Sequence, residues 1–180
     1  RSLDWTALTD ALLRVIGVFL CLTVHETCHG LAAYALGDPT AKRAHRLSLN
    51  PLHHIDWFGF AAMLLVGFGW AKPVPVDMRY FRRPKQGMAL TALAGPVSNL
   101  LLAVLLLLGA RIVYCSYVDT ALCSGALSFL LTTAYMSVGL GLFNLIPISP
   151  LDGSKVLFAL LPDSAYDKLM RYEKYGMILL

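Results

Sequence analysis

"CLTVHETCHGLAAYALG", Cys21 to Gly37, sets two histidines and a glutamate inside an apolar run that reads as helix. The helical pattern extends over about residues 11–36, and Gly37 followed by "DPT" is a stop signal. That is long enough to cross a bilayer, which takes about 20 apolar residues. His25, Glu26 and His29 are therefore ionisable groups in a membrane segment. Near the bilayer centre such a group costs about 2.5 to 3.5 kcal/mol on insertion scales, which makes it a functional candidate by default. Glu26 is one of only two glutamates in the chain, so it is not a by-product of acidic composition.

The rest of the chain agrees with a membrane setting. Of 180 residues, 57% are hydrophobic and 14% charged, which excludes an ordinary soluble domain. The apolar runs recur along the whole chain, so a secretory signal does not explain them. Spans are expected at about 88–113, uncharged from Met88 to Ala110, and at 121–146, also uncharged, and "YGMILL" at the end reads as the start of a further span at 176–180. With no initial Met, the expectation is that the chain continues at both ends. The fold class is an all-α polytopic membrane protein, a single transmembrane core with a small membrane-associated re-entrant β or loop region at about 47–78.

Charge placement supports the re-entrant reading. The run Trp57 to Trp70 is fourteen residues long, short of a full span. Lys42, Arg43 and Arg46 precede it, and Lys72, Arg79, Arg82, Arg83 and Lys85 follow it, so a true crossing would put one basic cluster on the wrong side. A re-entrant segment keeps both on the cytoplasmic side. The next loop, "CSYVD", has no Lys or Arg, and Lys155, Lys168, Arg171 and Lys174 return to the inside. An interfacial helix is expected over about 163–175, with Tyr166, Leu169 and Met170 on one face. Within the basic loop, "AKPVPVD" alternates Val with Pro, so a strand there must be an edge strand. Lys72, Pro73, Val74, Pro75 and Val76 are candidates to pair with an extended substrate; a Pro-stiffened loop is the alternative. The net charge of +4 is informative through this distribution and not as a sign of nucleic-acid binding.

The H-E-x-x-H at 25–29 places two imidazoles one turn apart on one helix face with a glutamate beside them. This suits a tetrahedral Zn²⁺ with two His ligands, a third protein ligand and an open water position. The alternative is a pair of hydrogen-bonded structural histidines. Cys28 points partly off the metal face and reads as packing, like Cys21, while Cys115 and Cys123 flank a short loop and would pair only in an oxidising compartment. His45, His53 and His54 fit surface or capping roles. The better third ligand is Asp152 in "FNLIPISPLDGSKV", whose prolines break the preceding helix and turn the chain inward; capping of the following helix is the competing use. His29 lies seven residues, roughly 10 Å, from the cytoplasmic end of its helix, so Asp152 can meet it at shallow depth. Asn144 and Asn99 are candidates to donate to substrate or to a developing oxyanion, against the alternative of helix-to-helix hydrogen bonds. Asn99 follows Gly95 and Pro96, which allow close packing and a kink.

"HETCH", "LAGPVSN" and "NLIPISPLDG" together resemble the signature motifs of the site-2 protease family of intramembrane zinc metalloproteases. "LGDPTAKRAHRLSLNPLHHIDWFG" and "GWAKPVPVD" are similar to the connecting region of its short prokaryotic members. The similarity runs from about Cys21 to Pro162. It implies that His25, His29 and Asp152 match the zinc ligands, Glu26 the catalytic glutamate, and Asn144 the asparagine beside the active site, with 47–78 the membrane-associated β region. The implied activity is hydrolysis of a peptide bond within or near a transmembrane segment of a membrane-protein substrate, in regulated intramembrane proteolysis, with one Zn²⁺ per chain, the active site toward the cytoplasm and the bilayer as surroundings. The alternative is a membrane metal-binding or transport protein that uses the same ligands without hydrolysis. It would set them along a continuous polar path, whereas the third span here is uncharged.

Overall fold

The fold is described from a computed structural model of the chain, over residues 5–66, 72–116 and 120–172. In chain order the helices are α1 (Trp5–Ala35), α2 (Thr40–Arg43), α3 (Trp57–Val66), α4 (Pro84–Cys115), α5 (Ala121–Asn144), α6 (Asp152–Ala159) and α7 (Asp163–Tyr172), with 3-10 turns at Pro51–His53 and Met78–Tyr80. Among the described residues, α1, α4 and α5 are long and apolar enough to cross a membrane. The expected further span at 176–180 lies outside the described residues.

The helix ends follow from local chemistry. At the C-terminus of α1, Gly37 adopts a positive φ of 105°, and Asp38 N donates to Ala33 O at 2.9 Å, the bond pattern of a Gly-ended helix. α4 begins at Pro84 and not near residue 88, because Pro suits the first helical position, where its missing N–H is no loss. Thr120 caps α5 by accepting from Cys123 N at 3.2 Å. α5 ends at Asn144 and not at 146, since Pro147 disfavours helical geometry in the residue before it.

α1, α4 and α5 pack against one another, and α6 lies against α4. The contacts use small and polar residues: Cys21, Asn99, Ala103, Thr133, Ala134 and Ser137 are all buried. Ser137 Oγ donates to Asn99 O at 2.8 Å, and a Cβ on Gly17 would stand 2.7 Å from Thr133 Oγ1. Large apolar side chains point outward instead: Leu101 is 61% exposed, Ile112 72% and Leu122 82%. This is how helices pack in lipid, where close backbone approach and interhelical hydrogen bonds replace a hydrophobic core. The chain is an all-α integral membrane protein.

Among the described residues the 47–78 region holds α3, two 3-10 turns and a lone bridge residue at Ile55, and no β-strand. α3 is ten residues long, about 15 Å, or half a bilayer core. Its first turn is capped by Asp56 Oδ1, which accepts from Phe58 N and Gly59 N at 2.9 and 3.0 Å, and Phe60 lies 5.5 Å from Phe19 of α1 between ring centroids. The remainder of the expected re-entrant run, 67–70, lies outside the described residues. Residues 72–77 form no strand: Pro73 and Pro75 have no N–H, and the amides of Lys72, Val74 and Asp77 bond to His54, Glu26 and Asp38. α7 buries Tyr166 against Met78, as its amphipathic pattern requires. Cys21, Cys28, Cys115 and Cys123 are free thiols.

Candidate active site

His25 and His29 share one face of α1 because residues four apart are separated by little more than a turn. Their rings meet edge to face, 4.6 Å between centroids. α4 runs behind them with Thr91, Gly95 and Asn99 buried at four-residue spacing. Gly95 marks the closest approach: a Cβ there would stand 2.4 Å from His29 Nε2 and 2.7 Å from His25 Cε1. Thr91 O lies 2.7 Å from His29 Nδ1. A carbonyl only accepts, so Nδ1 carries a proton, and Nε2 is the nitrogen whose lone pair a metal would draw on.

The third group comes from the first turn of α6. A Cβ on Gly153 would lie 2.2 Å from Leu145 O, so the glycine lets α6 close against the end of α5 and carries Asp152 inward. Asp152 Oδ2 is 3.0 Å from His25 Nε2 and 3.1 Å from His29 Nε2, and the three ligand-capable atoms lie within 4.8 Å of one another. Tetrahedral zinc with bonds of about 2.0 to 2.2 Å spaces neighbouring ligand atoms roughly 3.3 to 3.5 Å apart. The three groups are close enough to hold such an ion, with the two contacts of Asp152 lengthening by a few tenths of an ångström. Burial by itself would raise the Asp152 pKa. Hydrogen bonds from His25 and His29 outweigh it, helped by the charges of His29 and Lys155, and hold the carboxyl well below its usual range. Lys155 Nζ is 3.6 Å from Asp152 Oδ1.

A cavity of about 370 Å³ lies beside these groups, lined by His25, Glu26, His29, Asp152 and Lys155 and by Pro73, Val74, Val76, Met88 and Asn144 among others. Glu26 is half-buried, and its Oε2 accepts from Val74 N at 3.1 Å. The candidate pairing segment therefore touches the glutamate directly. Pro73, Val74 and Val76 face the cavity, whereas Lys72 and Pro75 are exposed and do not line it. Lys72 N donates to His54 O at 2.9 Å, and Pro73 and Pro75 have no N–H. From 72 to 75 the segment therefore has carbonyls to offer a partner but no amide donors. Its far end is tied down by Asp38, a fully buried carboxylate that accepts from Asp77 N at 2.7 Å and from Thr40 N at 2.8 Å.

The two asparagines separate. Asn144 lines the cavity, with one amide N–H donating to Leu140 O at 3.0 Å within α5. Asn99 corrects the expectation of an oxyanion donor. It is fully buried behind the imidazoles, its amide 3.0 Å from His25 Nδ1, and it does not line the cavity. The other histidines serve the loop: His54 Nε2 sits 2.8 Å from Ser48 O and 3.3 Å from Thr27 Oγ1, while Arg46 bonds His53 O. Cys28 lies outside the ligand group. Sequence reasoning missed three residues here. Thr91 acts through its carbonyl, which leaves no residue-type signal. Asp38 was visible as "GDPT" directly after the helix stop, and Lys155 as a cation three residues after Asp152.

Comparison with known proteins points the same way. Residues 110–179 match the family described as peptidase family M50, a stretch that includes Asn144 and Asp152. The chain is 40% identical over 166 residues to YwhC of Bacillus subtilis, whose name is "Putative zinc metalloprotease YwhC", covering 91% of this chain and 76% of that protein. It is 29% identical over 175 residues to "Putative zinc metalloprotease Rip2" of Mycolicibacterium smegmatis, covering 93% of this chain and 64% of that protein. No solved structure gives a significant match.

Proposed function

Since this chain belongs to peptidase family M50, the family of the site-2 proteases, and is a membrane zinc metalloprotease, we propose that it hydrolyses a peptide bond within or near a transmembrane segment of a membrane-protein substrate, as a step in regulated intramembrane proteolysis. The observation that carries this reading is the convergence of His25, His29 and Asp152 within 4.8 Å, with Glu26 on the same cavity. In this reading those three residues hold the zinc. Bound there, the ion supplies the Lewis acidity that lowers the pKa of a coordinated water and polarises the scissile carbonyl. Glu26 takes the water's proton and later passes it to the leaving amine. Val74 N–H orients the Glu26 carboxylate, and the second N–H of Asn144 is available to a developing oxyanion.

A substrate helix hides its carbonyls in its own hydrogen bonds, so it must unwind locally to be cut. The 72–76 segment offsets part of that loss by accepting from the amides of the unwound strand, and leaves the strand's carbonyls free for attack. The basic clusters at 42–46, 72–85 and 155–174 support the cytoplasmic side for the site, and the bacterial relatives support a prokaryotic membrane. Glu26→Gln is expected to keep zinc and lose cleavage of a single-span substrate by at least about a hundredfold, the lower end of general-base contributions. Undiminished cleavage by the purified, zinc-loaded variant would remove Glu26 from this role.

A further inference from the structure

The two ligand imidazoles rest on the same face of α4 but meet different partners there. His29 Nδ1 faces the Thr91 carbonyl, which can only accept. His25 Nδ1 faces the side-chain amide of Asn99, which can accept through Oδ1 or donate through Nδ2. With Nδ2 toward the ring at 3.0 Å, Nδ1 must be the acceptor and a neutral His25 keeps its proton on Nε2, the atom beside Asp152. That same orientation leaves Asn99 Oδ1 buried with no partner. A buried acceptor without a partner calls for an explanation.

Both histidines must offer Nε2 lone pairs to hold one metal between them, so both need the proton on Nδ1. Thr91 imposes that tautomer on His29. We propose that Asn99 imposes it on His25: in the zinc-bound protein its side-chain oxygen accepts from His25 Nδ1–H, making Asn99 the positioning residue of the first ligand. The oxygen and nitrogen of an amide have nearly the same shape, so the reversal needs only rotation about the terminal bond of a side chain already in place. The residue is otherwise fixed from α5, where Ser137 Oγ donates to its backbone carbonyl at 2.8 Å. Gly95 lies between the two partners on α4, and the absence of a side chain there is what brings both rings within their reach.

The inference rests on His25 being a zinc ligand, and comparing zinc binding by the unsubstituted protein and His25→Ala tests that premise separately. The proposal is read from the ratios among variants, by competition with a metal-binding dye. Asn99→Asp supplies an acceptor that cannot donate and is expected to hold zinc within about tenfold of the unsubstituted protein. Asn99→Ala supplies neither and is expected to bind about ten- to a hundredfold more weakly, as loss of an outer partner of a ligating His does. A purely structural asparagine would shift the unfolding temperature of the metal-free protein and leave these ratios near one. A second readout needs no variant: ¹⁵N NMR of the histidine-labelled zinc protein is expected to show His25 protonated on Nδ1. Zinc binding by Asn99→Ala as tight as that of the unsubstituted protein, a loss in Asn99→Asp equal to that in Asn99→Ala, or a His25 proton on Nε2 would overturn the proposal.

Discussion

The cavity has two walls of different construction. The back wall is regular helix, where α1 presents His25 and His29 and α4 answers with Thr91, Gly95 and Asn99 at one-turn spacing. The front wall is irregular chain, the 72–77 segment and the 145–151 turn that leads into Asp152. In the back wall the two imidazoles meet their partners across a helix interface, His29 at the Thr91 carbonyl and His25 at the Asn99 side-chain amide, and small residues set the separation. In the front wall backbone groups do the work: Val74 N on Glu26, Asp77 N on Asp38, and the Leu145 carbonyl beside Gly153. The difference suggests a division of tasks. In the proposed reading, rigid helices fix the ligand geometry and irregular backbone meets the substrate.

The strongest test of the back wall is Gly95→Ala. Its Cβ would stand 2.4 to 2.7 Å from atoms of both imidazoles, which Thr91, Asn99 and Asp152 hold in place. Overpacking of this kind costs about 1 to 3 kcal/mol, and here the displaced groups are the proposed ligands, so zinc affinity is expected to fall as well. Gly139→Ala in α5 is the control. Nothing lies within 4 Å of its Cβ position, and the better helix former should stabilise by up to about 1 kcal/mol. Thermal unfolding in detergent with and without zinc separates the two; equal behaviour would show that the back wall is not tightly fitted.

Val74→Pro probes the front wall. It removes the N–H that Glu26 accepts while keeping an apolar side chain, and hydrogen bonds to charged groups contribute about 1.5 to 3 kcal/mol. Cleavage is expected to fall roughly tenfold to a hundredfold with zinc content unchanged, and Val74→Ala, which keeps the N–H, should fall far less. Equal loss of zinc and cleavage would join the 72–77 segment to the ligand wall and undo the division of tasks.

How much of this was legible in the sequence follows the same line. That His25 and His29 stand together beside Glu26 could be read because a helix has a fixed period and the motif matches it. Asp152 could be read because Gly153 and the prolines before it mark a chain that turns sharply. The front wall resisted because side-chain patterns do not tell where amides bond. "KPVPV" showed that two donors were missing, but not that the amides of Lys72 and Val74 already had partners inside the protein. For Asn99 and Asn144 the alternatives stayed open because both are polar groups in apolar helices, and only the packing of α4 on α1 shows which one faces an imidazole. The four-residue step from Gly95 to Asn99 was the available signal: the residue one turn beyond a close contact with the imidazoles lies on the same face.

A contact belonging to neither wall should matter least. Lys85 Nζ at the start of α4 lies 2.5 Å from Asp163 Oδ1 at the start of α7, but the Asp163 side chain is 91% exposed. Exposed pairs of this sort contribute about 0 to 1 kcal/mol and are screened by salt. Lys85 also donates to Leu161 O at 2.6 Å and sits 5.2 Å from the centre of the Tyr166 ring, so it stays anchored without the carboxylate. Asp163→Asn is therefore expected to lower stability by no more than about 0.5 kcal/mol at low salt and by nothing measurable at high salt, with zinc affinity and cleavage unchanged. A change in cleavage without a change in zinc affinity would mean that the position of α7 is felt at the front wall. The path would run through Tyr166, whose hydroxyl is 3.5 Å from Met78 Sδ, one residue after the Asp77 amide that Asp38 holds.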